Sequence, residues 1–145
     1  MLKNIPSILS PELLKILMEM GHGDEIVIAD GNFPGASVAQ NLVRCDGHGV
    51  PEVLEAVLKL MPLDAYVPQP AGLMQVVPGD DVHPTIWAEY EKLIRQYEPA
   101  GIQNGFDMIE RFAFYERAKK AYAVVMTGES AIYANIILKK GVVKE

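Results

Sequence analysis

Apolar residues recur at helical spacing in four stretches of the chain. Ser10, Pro11 and Glu12 make a helix start: a hydroxyl cap, a proline in the first turn, then an acid near the positive end of the dipole. Leu13, Leu14, Leu17 and Met18 follow on one face, and Gly21 lies where a glycine would end the helix. Residues 50–62 predict a second helix with Val53, Leu54, Val57, Leu58 and Met61 inward. A third is expected over 83–99, opened by Pro84, with Ile86, Trp87, Tyr90, Leu93, Ile94 and Tyr97 on its buried side. The fourth spans roughly 111–119, and a short helix is expected from Pro34.

Between these lie β-branched runs. "EIVIAD" (25–30) reads as a buried strand, 121–126 as another, and "NIILKKGVV" as the closing one. A short strand leads into the fourth helix, and the proline-punctuated stretch 65–81 reads as short strands broken by loops. Four helices interleaved with about six strands predict one α/β domain over residues 1–145, its mainly parallel or mixed sheet flanked by helices. No internal repeat is visible.

Composition narrows the function. At 145 residues the chain suits one domain with a proper core. Its formal net charge is −6 and no Lys/Arg run exceeds two residues, which disfavours a nucleic-acid partner needing a basic stripe. No uninterrupted apolar run is long enough to span a bilayer, and the single cysteine, Cys45, suits a reducing compartment. A cytoplasmic protein with no membrane partner is expected.

Candidate chemistry begins at "GHGDEIVIAD", residues 21–30. Asp30 sits at the C-terminal end of a strand, where open α/β sheets place ligands, and His22 precedes the same strand. An imidazole can exchange a proton near neutral pH, and a carboxylate can orient it or grip a sugar hydroxyl. The plainer reading of His22 is a cation closing a helix C-terminus. His22, His48 and His83 lack metal-ligand spacing, Cys45 has no evident base, and the glycines form no phosphate loop, so no metal and no cofactor is expected. His48 and His83 read as loop or capping residues. In the 110–121 helix, Arg111, Tyr115 and Arg117 read as solvated polar tips on an amphipathic core helix. Tyr133 and Asn135, two apart at the entry to an apolar strand, can share a face; a phenol beside an amide suits a polyol.

Three longer stretches carry a resemblance. "SPELLKILMEMGHGDEIVIAD" with "FP" following, "RFAFYERAKKAYAVVMTGES" and "YANIILKKGV" closely resemble the L-fucose mutarotase family, related to D-ribose pyranase, from Leu2 to Val142. The resemblance implies an α/β subunit assembled into a ring, usually a decamer, with active sites near subunit contacts. It implies a cofactor-free isomerase interconverting the α and β anomers of a monosaccharide, L-fucose or a related sugar. By motif, His22 would be the proton donor and Asp30 a substrate-binding carboxylate, while Arg111, Tyr133, Ala134 and Asn135 would contact the sugar. Competing expectations are a non-catalytic monosaccharide-binding or transport-accessory module, a pyranose–furanose isomerase acting on a ribose-like sugar, and a purely structural ring subunit.

Overall fold

In the computed structural model, which describes residues 1–145, Ser10 caps the first helix as its sequence predicts: its Oγ accepts from Leu13 N at 3.1 Å, and α1 runs Pro11–Glu19. Its buried face is Leu13, Ile16 and Leu17, whereas Met18 is exposed. β1 (Glu25–Ala29) follows, then α2 (Gly35–Val38) and β2 (Leu42–Cys45), then α3 (Val50–Leu58). β3 (Ala71–Met74), α4 (Ile86–Tyr97), a 3₁₀ turn (Pro99–Ile102) and β4 (Asp107–Ile109) come next. α5 (Arg111–Lys120), β5 (Ala123–Thr127) and β6 (Ile136–Lys139) complete the chain.

The sequence reading differs at several points. β2 was not expected; it lies just past α2, within a stretch whose exposed Leu42 and Arg44 hide the apolar signal. The third helix starts at Ile86 rather than at 83: Val82–Pro84 carry no regular structure, and Thr85 is a turn residue at the helix N-cap. α3 stops at Leu58, although Met61 beyond it is still buried in the same core.

The six strands form one mixed sheet in the order β2-β5-β1-β6-β3-β4. β1, β5 and β2 are mutually parallel, β3 and β4 are parallel, and β6 runs antiparallel between β1 and β3. Five strands therefore end at one edge of the sheet, and β6 begins there. Alternate residues divide between two layers. Ile26, Ile28, Val125, Ile136 and Leu138 pack towards α1, α3 and α4, whereas Val27, Ala29, Val124, Met126 and Ile137 pack towards α5. This burial on both faces explains why β1, β5 and β6 read as near-continuous apolar runs.

The loops at that shared edge are tied closely. A Cβ on Gly128 would lie 2.1 Å from the Asp46 carbonyl oxygen, so only glycine lets the turn after β5 pass the turn after β2. At the other side of the sheet, Arg117 bridges Glu25 and Asp107, joining α5 to β1 and β4. It is a half-buried stitch, not the solvated tip expected from the sequence.

Candidate active site

The strand ends converge on an open cleft of ≈ 250 Å³. Asp30 and Phe33 enter from the turn after β1, Met74 from the end of β3, Arg111 and Tyr115 from α5, and Tyr133 and Asn135 from the approach to β6. Four of the residues singled out from the sequence thus meet in one place, at the edge where an open α/β sheet offers its ligand site.

Asp30 is the anchor of this cleft and is almost fully buried. Its Oδ1 accepts from Asn32 N at 3.0 Å and its Oδ2 from Ala134 N at 3.3 Å, while its own N–H donates to Asn135 Oδ1 at 2.8 Å. Burial pushes its carboxyl above the usual range, aided by the Glu129 carboxylate; the amides of Asn32, Ala134 and Phe33 pull the other way without cancelling the effect. Asn135 spends its oxygen on the Asp30 backbone, leaving its amide nitrogen to face the cleft. Ala134 serves through its backbone alone; its side chain belongs to the core.

Tyr133 takes the left-handed region, with φ 57°, a conformation that costs a non-glycine residue about 1–2 kcal/mol. Two side chains of α4 hold it there. Trp87 Nε1 donates to the Tyr133 carbonyl at 2.7 Å, and the buried Tyr90 hydroxyl donates to the Ala134 carbonyl at 2.8 Å. Burial, with Glu129 and Asp30 nearby, pushes the Tyr90 phenol far up, so it remains a donor. The sequence reading placed Tyr133 and Asn135 on one face of a strand. They do share the cleft, but β6 starts only at Ile136, and the left-handed turn at Tyr133 is what directs them there.

Arg111 opens α5 on the exposed rim. Its Nε donates to the Tyr115 hydroxyl at 3.3 Å, and its guanidinium lies 5.4 Å from the Phe112 ring centre and 5.6 Å from that of Tyr115. Phe33 packs against both Phe114 and Tyr115 and gives the cleft an apolar wall. Phe33, Met74 and Tyr115 were not singled out as site residues, because each reads as core or surface until the sheet edge is assembled.

His22 is elsewhere. It precedes β1, whereas Asp30 follows it, and five strand residues at about 3.3 Å each place some 16 Å of chain between them. Within one subunit the fold does not bring the two together. His22 instead makes a second cluster at the opposite edge, where its Nε2 lies 3.0 Å from Asp64 Oδ1 and its ring centre is 5.2 Å from that of Tyr66. Burial alone would raise the Asp64 carboxyl, but the Tyr66 amide and the His22 imidazole outweigh it and hold it below the usual range. An ionised Asp64 can only accept, so Nε2 carries the hydrogen and Nδ1 is left free on an exposed ring. Asp64 escaped the sequence reading; the available signal was an isolated acid in the apolar stretch "LMPLDAY".

The other histidines behave as loop residues: His48 Nδ1 lies 3.2 Å from Glu52 Oε2, and His83 is exposed beside Asp81. Cys45 is buried at the end of β2.

Comparison with known proteins covers nearly the whole chain. The sequence profile of the RbsD / FucU transport protein family matches residues 3–143. The fucose mutarotase of Homo sapiens is 55% identical over 147 residues, spanning 97% of this chain and 94% of that protein. The crystal structure of the fucose mutarotase from Streptococcus pneumoniae in complex with L-fucose superposes with a TM-score of 0.91 at 54% identity, covering 99% of this chain and all of that one. FucU from Bifidobacterium longum superposes with a TM-score of 0.94 at 56% identity, covering 98% of this chain and 100% of the other.

Proposed function

Because this chain belongs to the RbsD / FucU transport protein family, we propose from its cleft and its relatives that it is a sugar mutarotase, an isomerase interconverting the α and β anomers of L-fucose. The carrying observation is the composition of the cleft. A buried carboxylate, a free amide nitrogen, a phenol and a guanidinium face one opening with apolar walls from Phe33 and Met74. Polar groups of both donor and acceptor type suit a ring of hydroxyls, and the apolar walls suit the methyl group of a 6-deoxy sugar.

The chemistry needs only protons. A proton leaves the anomeric O1 while another reaches the ring oxygen, and the bond between C1 and the ring oxygen breaks to give the open aldehyde. Rotation about C1–C2 and reclosure on the other face give the second anomer, with the protons returned. No electrons change hands, so neither a redox cofactor nor a metal is required by the reaction. Asp30 grips a sugar hydroxyl, and Arg111, Tyr133 and Asn135 fix the ring. His22 transfers the proton, typically a ~10²–10⁴-fold contribution for one positioned acid–base group.

His22 reaches the sugar from a neighbouring subunit. The cleft and the His22–Asp64–Tyr66 cluster lie at opposite edges of the sheet, and each carries exposed apolar side chains: Phe112 and Ile132 beside the cleft, Tyr66 beside His22. Joining one edge to the other is a head-to-tail contact, which closes into a ring when the rotation per subunit permits. We take the assembly to be a homodecamer working in the cytoplasm. No helix is long and apolar enough to cross a membrane.

Saturation-transfer NMR on the anomeric protons of L-fucose tests this reading. Catalysed exchange with the wild-type protein, lost in His22→Ala, is expected. Binding of L-fucose without faster exchange would make the protein a sugar-binding module instead.

A further inference from the structure

The segment between β3 and α4 reaches the cleft residue Tyr133 through that residue's hydroxyl. Gln75 N donates to the Ile109 carbonyl at 2.7 Å as the segment leaves the sheet, and Asp80 N returns to the Val77 carbonyl at 3.1 Å around Gly79, whose φ is 89°. Two groups from this turn then meet the Tyr133 hydroxyl. Val77 N donates to it at 3.3 Å, and the hydroxyl donates to Asp80 Oδ2 at 2.6 Å. With Trp87 on the Tyr133 carbonyl and the left-handed backbone, one phenol at the cleft is fixed from both ends.

Resting on the mutarotase reading above, we propose that Asp80 is a positioning residue for the reaction. It takes up the hydroxyl hydrogen of Tyr133 and so leaves the phenol oxygen facing the cleft as an acceptor for the sugar's anomeric hydroxyl.

A phenol has one hydrogen to donate and an oxygen that can also accept. The hydrogen is committed to Asp80, and Val77 N–H reaches the oxygen only at 3.3 Å, so towards the sugar this oxygen can act only as an acceptor. A short hydrogen bond to a carboxylate also draws the hydrogen away from the phenol and makes its oxygen richer in electrons. Such an oxygen accepts the O1–H hydrogen bond and polarises it, which favours departure of the O1 proton, whereas an unpaired phenol would rotate and offer its own hydrogen. The charged groups facing this phenol are Asp80 from the turn and Arg111 from α5. Arg111 donates to Tyr115 and carries no acceptor, so it does not compete for the hydrogen. A plain latch between a surface turn and the body would use the same bond with no consequence for turnover, and the test separates the two.

Anomer exchange of L-fucose is measured by saturation transfer in the wild type, Asp80→Asn, Tyr133→Phe and the double variant. Asparagine can still accept through its oxygen and keep the turn in place, but without the charge. The expected result is about a tenfold lower kcat in Asp80→Asn with KM within about twofold, and no further loss when Asp80→Asn is added to Tyr133→Phe. A wild-type kcat in Asp80→Asn, an equal loss in both backgrounds, or a loss confined to KM would overturn the proposal. Absence of exchange in the wild type would remove the mutarotase reading itself, and that arm is read first. A second readout needs no turnover: the Tyr133 Cζ resonance followed against pH. Its phenol should ionise at lower pH in Asp80→Asn than in the wild type, since the Asp80 carboxylate is the main influence raising it. Coincident titrations would also overturn the proposal.

Discussion

Replacing Tyr90 by phenylalanine isolates the support behind the cleft. The ring is fully buried between α4 and the sheet, and its hydroxyl donates to the Ala134 carbonyl at 2.8 Å. Phenylalanine keeps the packing and removes one oxygen, so the loss is that of a buried carbonyl left unpaired, about 1–3 kcal/mol. Unfolding entropy near 2.1 cal/mol/K per residue gives about 0.3 kcal/mol/K for a chain of this length, so the thermal midpoint should fall by roughly 3–10 °C. The second effect is local. Ala134 N holds Asp30 and Ala134 follows the strained Tyr133, so a loosened carbonyl lets the left-handed turn relax and the sugar contacts spread. KM for L-fucose should therefore rise, with kcat less affected. The assay is a thermal melt at fixed subunit concentration, which matters for the proposed oligomer, together with exchange kinetics. A midpoint within 1 °C of wild type, about a tenth of the upper expectation, with unchanged KM would refute the claim that α4 braces the site.

Asp30→Asn should abolish catalysed exchange, and its stability relative to wild type should depend on pH. The Asp30 carboxyl is raised in the folded state, so protonation favours folding and that contribution fades as pH rises through the folded value; at neutral pH the buried charge is a cost. The variant should accordingly gain most over wild type near pH 7 and lose the advantage towards pH 4, read by denaturant melts across that range. Asp64→Asn should lower kcat by about 10–100-fold, because the amide can present a hydrogen to Nε2 and leave His22 in the wrong tautomer or orientation. Asp64 is held low in the folded state, so the stability it contributes is present above its unfolded value near 3.8 and is lost as pH falls through the folded one; acid melts of wild type and variant should converge there.

Much of this architecture was legible as pattern. The cap at Ser10, the apolar runs of β1 and β5, and the glycine-bounded start of β1 all follow local rules that the tertiary structure respects. β2 was hidden because an edge strand with two exposed residues carries half the apolar signal of a central one. The site was legible in part. Asp30 and Arg111 stand at the end of a strand and the start of a helix, positions that strand polarity alone sends to one edge. Tyr133 and Asn135 do share one cleft, but for a different geometric reason than strand alternation, since a left-handed residue in a non-glycine position leaves no local trace. His22 was the harder case. Eight positions from Asp30 in sequence, it is separated from it by the full length of a strand, and its partner Asp64 is 42 residues away. Nearness in sequence across a strand means opposite edges of the sheet.

The most direct test is complementation between two inactive variants. His22→Ala and Asp30→Asn each remove one half of the proposed shared site, so each alone should show only uncatalysed exchange of L-fucose. When the two are dissociated together and reassembled in equal amounts, random pairing gives roughly a quarter of the sites an intact cleft facing an intact His22. Exchange should recover to about a quarter of the wild-type rate. A mixture no faster than its two components would contradict a site built from the opposite edges of neighbouring subunits.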